Sequence, residues 1–112
     1  MENKKFEESE VSLHFSKEEE KEYYVGLKKQ LIKLLYLIED EQKGNGNAEL
    51  FFYGLIYELH SANALCNNKL TRVYVKISGL YNNFQYKDMS HEDIKRQIFE
   101  CKGMVDYLFQ QI

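Results

Sequence analysis

A chain of 112 residues with 44% hydrophobic content is sized for one domain with a real core, and its net charge of −3 excludes a general nucleic-acid binder, which needs a basic face. The longest apolar runs, Leu34–Ile38 and Leu50–Tyr57, exclude a membrane-spanning helix, which needs about 20 apolar residues. The 2 cysteines form no disulfide framework and no apolar signal core opens the sequence, so a reducing cytoplasm is the expected compartment.

Residues 1–15 are polar and acidic and predict a flexible N-terminal arm ahead of a helical domain over 16–112. Val11, Leu13 and Phe15 alternate, so a short extended piece is expected to lie across the domain there. Ser16-Lys17-Glu18-Glu19 is a capping box, and Glu18, Glu19 and Glu20 complement the positive end of a helix dipole. The first helix should run from Lys17 to Lys43, with Tyr24, Leu27, Leu31, Leu34 and Ile38 as a heptad seam and Gly44 as its stop.

Gly44-Asn45-Gly46-Asn47 is the clearest turn, and Asn47 is placed to cap a second helix running to about Cys66. Its seam is Phe52, Leu55, Leu59, Ala62 and Cys66. A further apolar stripe of Phe51, Ile56 and Tyr57, with Tyr53 beside it, covers much of the remaining circumference. A helix apolar on several sides is central in its fold or covered by a partner.

A third helix follows Asn67-Asn68 and carries Leu70, Val73, Tyr74, Ile77, Leu80, Tyr81 and Phe84 at helical spacing. Arg72–Ile77 would also suit a strand on propensity, but the helical period persists and no second strand is visible to pair with it. Ser90-His91-Glu92-Asp93 opens a fourth helix with Ile94, Ile98, Cys101, Val105, Leu108 and Ile112 on its seam. Gly103 interrupts that helix at about 1 kcal/mol relative to alanine, which suggests a closely approaching neighbour. Proline is absent and the connections are short. The predicted fold is therefore all-α: an antiparallel up-down-up-down four-helix bundle.

Candidate chemistry is sparse. His60, Cys66 and Cys101 lack the close ligand pairs of zinc sites, and no Glu-x-x-His motif marks a di-iron bundle, so neither metal nor cofactor is expected. Both cysteines sit on apolar seams, where a thiol is inert. His91-Glu92-Asp93 reads as a helix start. A helical-bundle ribonuclease of the HEPN type would carry an arginine followed four to six residues later by histidine, and neither Arg72 nor Arg96 has one. Gly44-Asn45-Gly46 lacks the Lys-Ser/Thr of a phosphate loop.

The aromatic surplus is the one pointed feature: 9 tyrosines and 7 phenylalanines exceed what a bundle of this size can bury. Tyrosine is favoured at interfaces because it buries apolar area while its hydroxyl keeps a partner. The expected contact surface is Phe51, Tyr53, Ile56 and Tyr57, joined by Tyr23 or Tyr36 of the first helix. The sequence thus points to a small non-catalytic cytoplasmic protein-binding module, such as a bacterial regulator, inhibitor or immunity-type protein. The alternatives are a homodimeric structural protein using the same stripe, and a small hydrolase or nuclease built on His60 beside Glu58.

Overall fold

The computed structural model describes residues 14–44 and 46–112. Four helices follow in order: α1 (Lys17–Gln42), α2 (Ala48–Leu65), α3 (Thr71–Tyr86) and α4 (His91–Gln110). No strand occurs among the described residues, and Arg72–Ile77 is helical. Most of the acidic arm expected over 1–15, including Val11 and Leu13, lies outside the described residues. Of that stretch, Phe15 donates its backbone N–H to the Leu65 carbonyl at 2.9 Å, which ties the entry of α1 to the end of α2.

Local chemistry sets the helix ends. The Ser16 hydroxyl accepts from the Glu19 N–H at 3.1 Å while the Glu19 carboxylate accepts from the Ser16 N–H at 2.9 Å, a complete capping box. Gly44, at φ +88°, turns the chain out of α1 in a conformation that disfavours any side chain. Asn47 occupies the cap position of α2 but makes no side-chain cap bond, contrary to expectation. Its ψ of 8° is far from the extended value that aims a capping side chain at the first turn.

Between α2 and α3, Asn67 and Asn68 both adopt left-handed backbone, at φ 59° and 63°, which asparagine tolerates better than most residues. Asn63, still on α2, then clamps the start of α3: its carbonyl oxygen accepts from the Leu70 N–H at 2.8 Å and its amide donates to the Thr71 hydroxyl at 2.9 Å. At α4 the Ser90 hydroxyl accepts from the Asp93 N–H at 3.1 Å, as its capping sequence predicts.

Each helix packs against two others: α1 against α2 and α4, and α3 against α2 and α4, with no diagonal pairing among the described residues. The seams close on one core. Tyr24, Leu27, Leu31, Leu34 and Ile38 of α1 meet Phe52, Leu55 and Leu59 of α2, Val73, Ile77 and Leu80 of α3, and Ile94, Ile98, Cys101 and Val105 of α4. Burying each large side chain is worth about 1.5–3 kcal/mol, so the four seams together hold the fold. Leu108 and Ile112 pack at the edge of that core and are only half-buried. Gly103 departs from expectation, since nothing lies within 4 Å of where its Cβ would stand.

Candidate functional site

The six residues expected to share one contact surface fall on different sides of the bundle. Two rows on α2 account for this. Phe51 and Glu58 belong to the row facing α1: the Lys33 ammonium sits 5.1 Å from the Phe51 ring centroid, and the Gln30 amide approaches Glu58 at 3.5 Å. Glu49, Tyr53, Ile56, His60 and Asn63, at steps of four and three, form the row facing α3. There Gln85 donates to Glu49 at 3.1 Å, Tyr53 lies 6.0 Å from Tyr81, and His60 lies 5.7 Å from Tyr74, ring to ring.

The outward side of α2 carries the apolar surface. Leu50 is 80% exposed, Tyr53 56% and Tyr57 71%. Leu50, Tyr53 and Tyr81 line a shallow groove of about 360 Å3 together with Glu41, Gly46, Asn47 and Glu49. Ile56 is half-buried and packs against the core. Burial, then the Glu49 carboxylate, raises the Tyr81 phenol above its usual range.

Tyr23 and Tyr36 do not join it. Tyr23 leans into the α1–α2 crevice with its ring 5.8 Å from that of Phe15. Its hydroxyl is buried with no hydrogen-bond partner among the described residues. Burial, reinforced by the Glu58 charge, raises that phenol well above its ordinary value. Tyr36 is 65% exposed on the side of α1 that meets α4, across the ring of helices from the α2–α3 seam. With Ile32, Leu35 and Phe99 it lines a separate groove of about 540 Å3, edged by Glu39, Glu92, Lys95 and Arg96.

Leu50 and Phe99 escaped the sequence reading. Both stand off the seams, and the missing signal was a wheel position rather than a motif. Phe99 lies five residues after Ile94, about 140° around the helix from it.

Among the described residues, the polar groups that the sequence singles out do not converge as acid–base chemistry requires. Glu58 and His60 are two positions apart, about 200° around α2. They turn to α1 and α3 respectively, so the pair suggested by sequence is not assembled. Cys66 and Cys101 are free and buried, and burial pushes both thiols up to about 11. His91, at the start of α4, meets the Phe84 ring edge-on at 5.7 Å. Among the described residues no three His, Cys, Asp or Glu side chains gather as metal ligands, and no helix is long and apolar enough to cross a membrane. Comparison with known protein families, curated proteins and solved structures finds no match to this chain.

Proposed function

We propose that this chain is a non-catalytic cytoplasmic protein-binding module that presents the outer face of α2 to a protein partner, in the manner of a small regulator, inhibitor or immunity-type protein. The observation that carries the reading is the clustering of Leu50, Tyr53 and Tyr57 in the open on one face, with Tyr81 beside them. Large rings that fill no core position leave apolar area for another molecule to cover. Partner binding, rather than nucleic-acid binding, also fits the acidic balance of the chain.

An up-down-up-down course of the helices gives this face its setting. It is supported by contacts that run in opposite senses along two of the four neighbouring pairs: Lys28 with Asp106 and Gln42 with Lys95 for α1 and α4, and Glu49 with Gln85 and Asn63 with Thr71 for α2 and α3. The α1–α4 groove favours a second reading, self-association through Ile32, Tyr36 and Phe99 across a two-fold axis.

The double variant Tyr53→Ser/Tyr57→Ser tests the first reading. Both side chains are exposed, so its helical circular dichroism and melting temperature should match the parent while capture of the partner from native lysate is lost. Unchanged capture by the folded variant refutes the assignment. Sedimentation over a range of concentrations tests the second reading: a strict monomer at every concentration removes it, and a dimer broken by Phe99→Ser supports it.

A further inference from the structure

The groove at the start of α2 differs in charge from three other hollows on the molecule. Those three are lined by Lys69 and Arg72, by Lys95 and Arg96, and by Arg72 and Lys76. Among the described residues the α2 groove has no cation in its lining and two carboxylates, Glu41 and Glu49, and neither carboxylate joins an ion pair. Glu49 accepts from the Gln85 amide, which is neutral and leaves its charge in place. Glu41 folds over the turn, where glycine gives it room: a Cβ on Gly46 would stand 2.5 Å from its Oε2. The last turn of α1, at the negative end of its dipole, holds Glu41 and no base. Lys43, the cap residue that follows, is exposed and does not line the groove.

The walls between these carboxylates are aromatic. Tyr53 and Tyr81 stand 6.0 Å apart, ring to ring, inclined at 54°. Tyr81 is backed edge-on at 5.3 Å by the fully buried Phe52, which fixes its ring. The face of a phenol ring attracts a cation electrostatically, and a neighbouring carboxylate strengthens the same preference. The Glu49 charge is felt inside the groove: after burial, it is what holds the Tyr81 phenol above its ordinary value. Asn47 also lines the groove and makes no side-chain cap bond, which leaves its amide oxygen for a donor.

We propose that this groove seats an arginine side chain of the protein partner, its guanidinium against Tyr53 and Tyr81 and its N–H groups toward Glu41 and Glu49. Charge complementarity selects a cation, since every charged residue lining the groove is acidic. The rings select arginine over lysine: a planar guanidinium stacks on an aromatic face and bonds a carboxylate at the same time, whereas an ammonium is a compact, strongly hydrated point charge. Leu50, 80% exposed beside the groove, is placed to cover an apolar neighbour of that arginine. The site belongs to the α2 face, so the inference rests on that reading and names the chemistry of its partner.

Heteronuclear NMR of the full chain, titrated with the blocked tripeptide acetyl-Leu-Arg-Leu-amide, tests the site. Amide shifts of the residues lining the groove should move saturably, with a dissociation constant on the order of 1 mM, as suits one side chain in an open groove. The affinity should fall as salt rises. The citrulline tripeptide keeps the shape and loses the charge, and it should bind roughly tenfold less tightly. The arginine tripeptide should lose a similar factor on Glu41→Gln/Glu49→Gln. Circular dichroism confirms that this double variant is folded, and the comparison of arginine with citrulline on the unaltered chain decides the matter if it is not. No saturable shift, shifts confined to another part of the surface, or equal binding of the citrulline or a lysine tripeptide would each overturn the proposal. Failure of the wider reading is separable. Partner capture that survives Tyr53→Ser/Tyr57→Ser defeats both, whereas capture lost in that variant, with citrulline bound as well as arginine, defeats the arginine site alone.

Discussion

Glu20 and Lys69, 49 residues apart in sequence, meet at 3.1 Å beside the phenol of Tyr24, which donates to the same Glu20 carboxylate oxygen at 2.6 Å. The cluster joins the first turns of α1 to the connection between α2 and α3. Glu20 is almost completely buried here, although its place in an acidic run suggests a solvated residue. A buried carboxylate must be fully bonded to be tolerated, so Tyr24 and Lys69 are the reason Glu20 can sit inside. Tyr24→Phe removes one charge-assisted bond and should cost about 1.5–3 kcal/mol in urea unfolding. Lys69→Met should cost less, under about 1 kcal/mol, because its half-exposed ammonium is screened by water. A cost for Lys69→Met exceeding that of Tyr24→Phe would mean the ion pair, not the phenol, holds the cluster.

The buried thiols make the fold sensitive to alkali. Cys66 and Cys101 are raised from 9.0 to about 11 in the folded chain, chiefly by burial. A raised value means the folded state keeps a proton that the unfolded state loses. Stability is therefore complete below pH 9 and declines as pH climbs from about 9 to 11. The decline should reach about 2 kcal/mol for each cysteine at the upper end of that window, an order-of-magnitude figure. Cys101→Ala should flatten the slope of unfolding free energy against pH over this range, whatever it does to stability at pH 7. At pH 8 both thiols of native protein should resist a disulfide reagent until urea is added. Fast modification of folded protein would contradict the burial of these groups.

The core was legible because its physics is periodic. Tyr24 to Ile38 on α1 and Phe52 to Ala62 on α2, continued by Cys66 just past the helix end, recur every three or four positions, and those positions are the ones that end up buried. Capping at Ser16 and Ser90 was legible for the same local reason. The contact surface was harder. Phe51 and Ile56 looked like one stripe, but five residues separate them, about 140° of helix, and the two sides of α2 they occupy are claimed by different neighbours. Glu20 was unreadable in principle, since its burial depends on Lys69, distant in the chain.

Asn63 concentrates the geometry of the α2–α3 connection in one side chain. It accepts from the Leu70 N–H and donates to the Thr71 hydroxyl, in place of the cap that Leu70 cannot supply. Asn63→Ala strands the Leu70 amide, which is part-buried, and should destabilise the protein by about 1–3 kcal/mol. Hydrogen exchange should report it locally: the Leu70 amide should lose its protection while amides in the middle of α1 change only as far as global stability falls. Uniform acceleration across all four helices would show that the side chain acts on the whole bundle rather than on the start of α3.

Two glycines should respond in opposite directions to the same substitution. Gly44 holds φ +88°, where an alanine Cβ is strained, so Gly44→Ala should cost about 1 kcal/mol even though space is available there. Gly103 is in ordinary helical backbone with open space at its Cβ position. Gly103→Ala should therefore stabilise the chain by about 1 kcal/mol, through helix propensity and a less free unfolded chain. For a domain near 100 residues each change is worth roughly 4–8 °C in melting temperature, downward for Gly44→Ala and upward for Gly103→Ala. A loss of stability at Gly103→Ala would mean that a neighbouring side chain fills the open space beside Gly103 in solution.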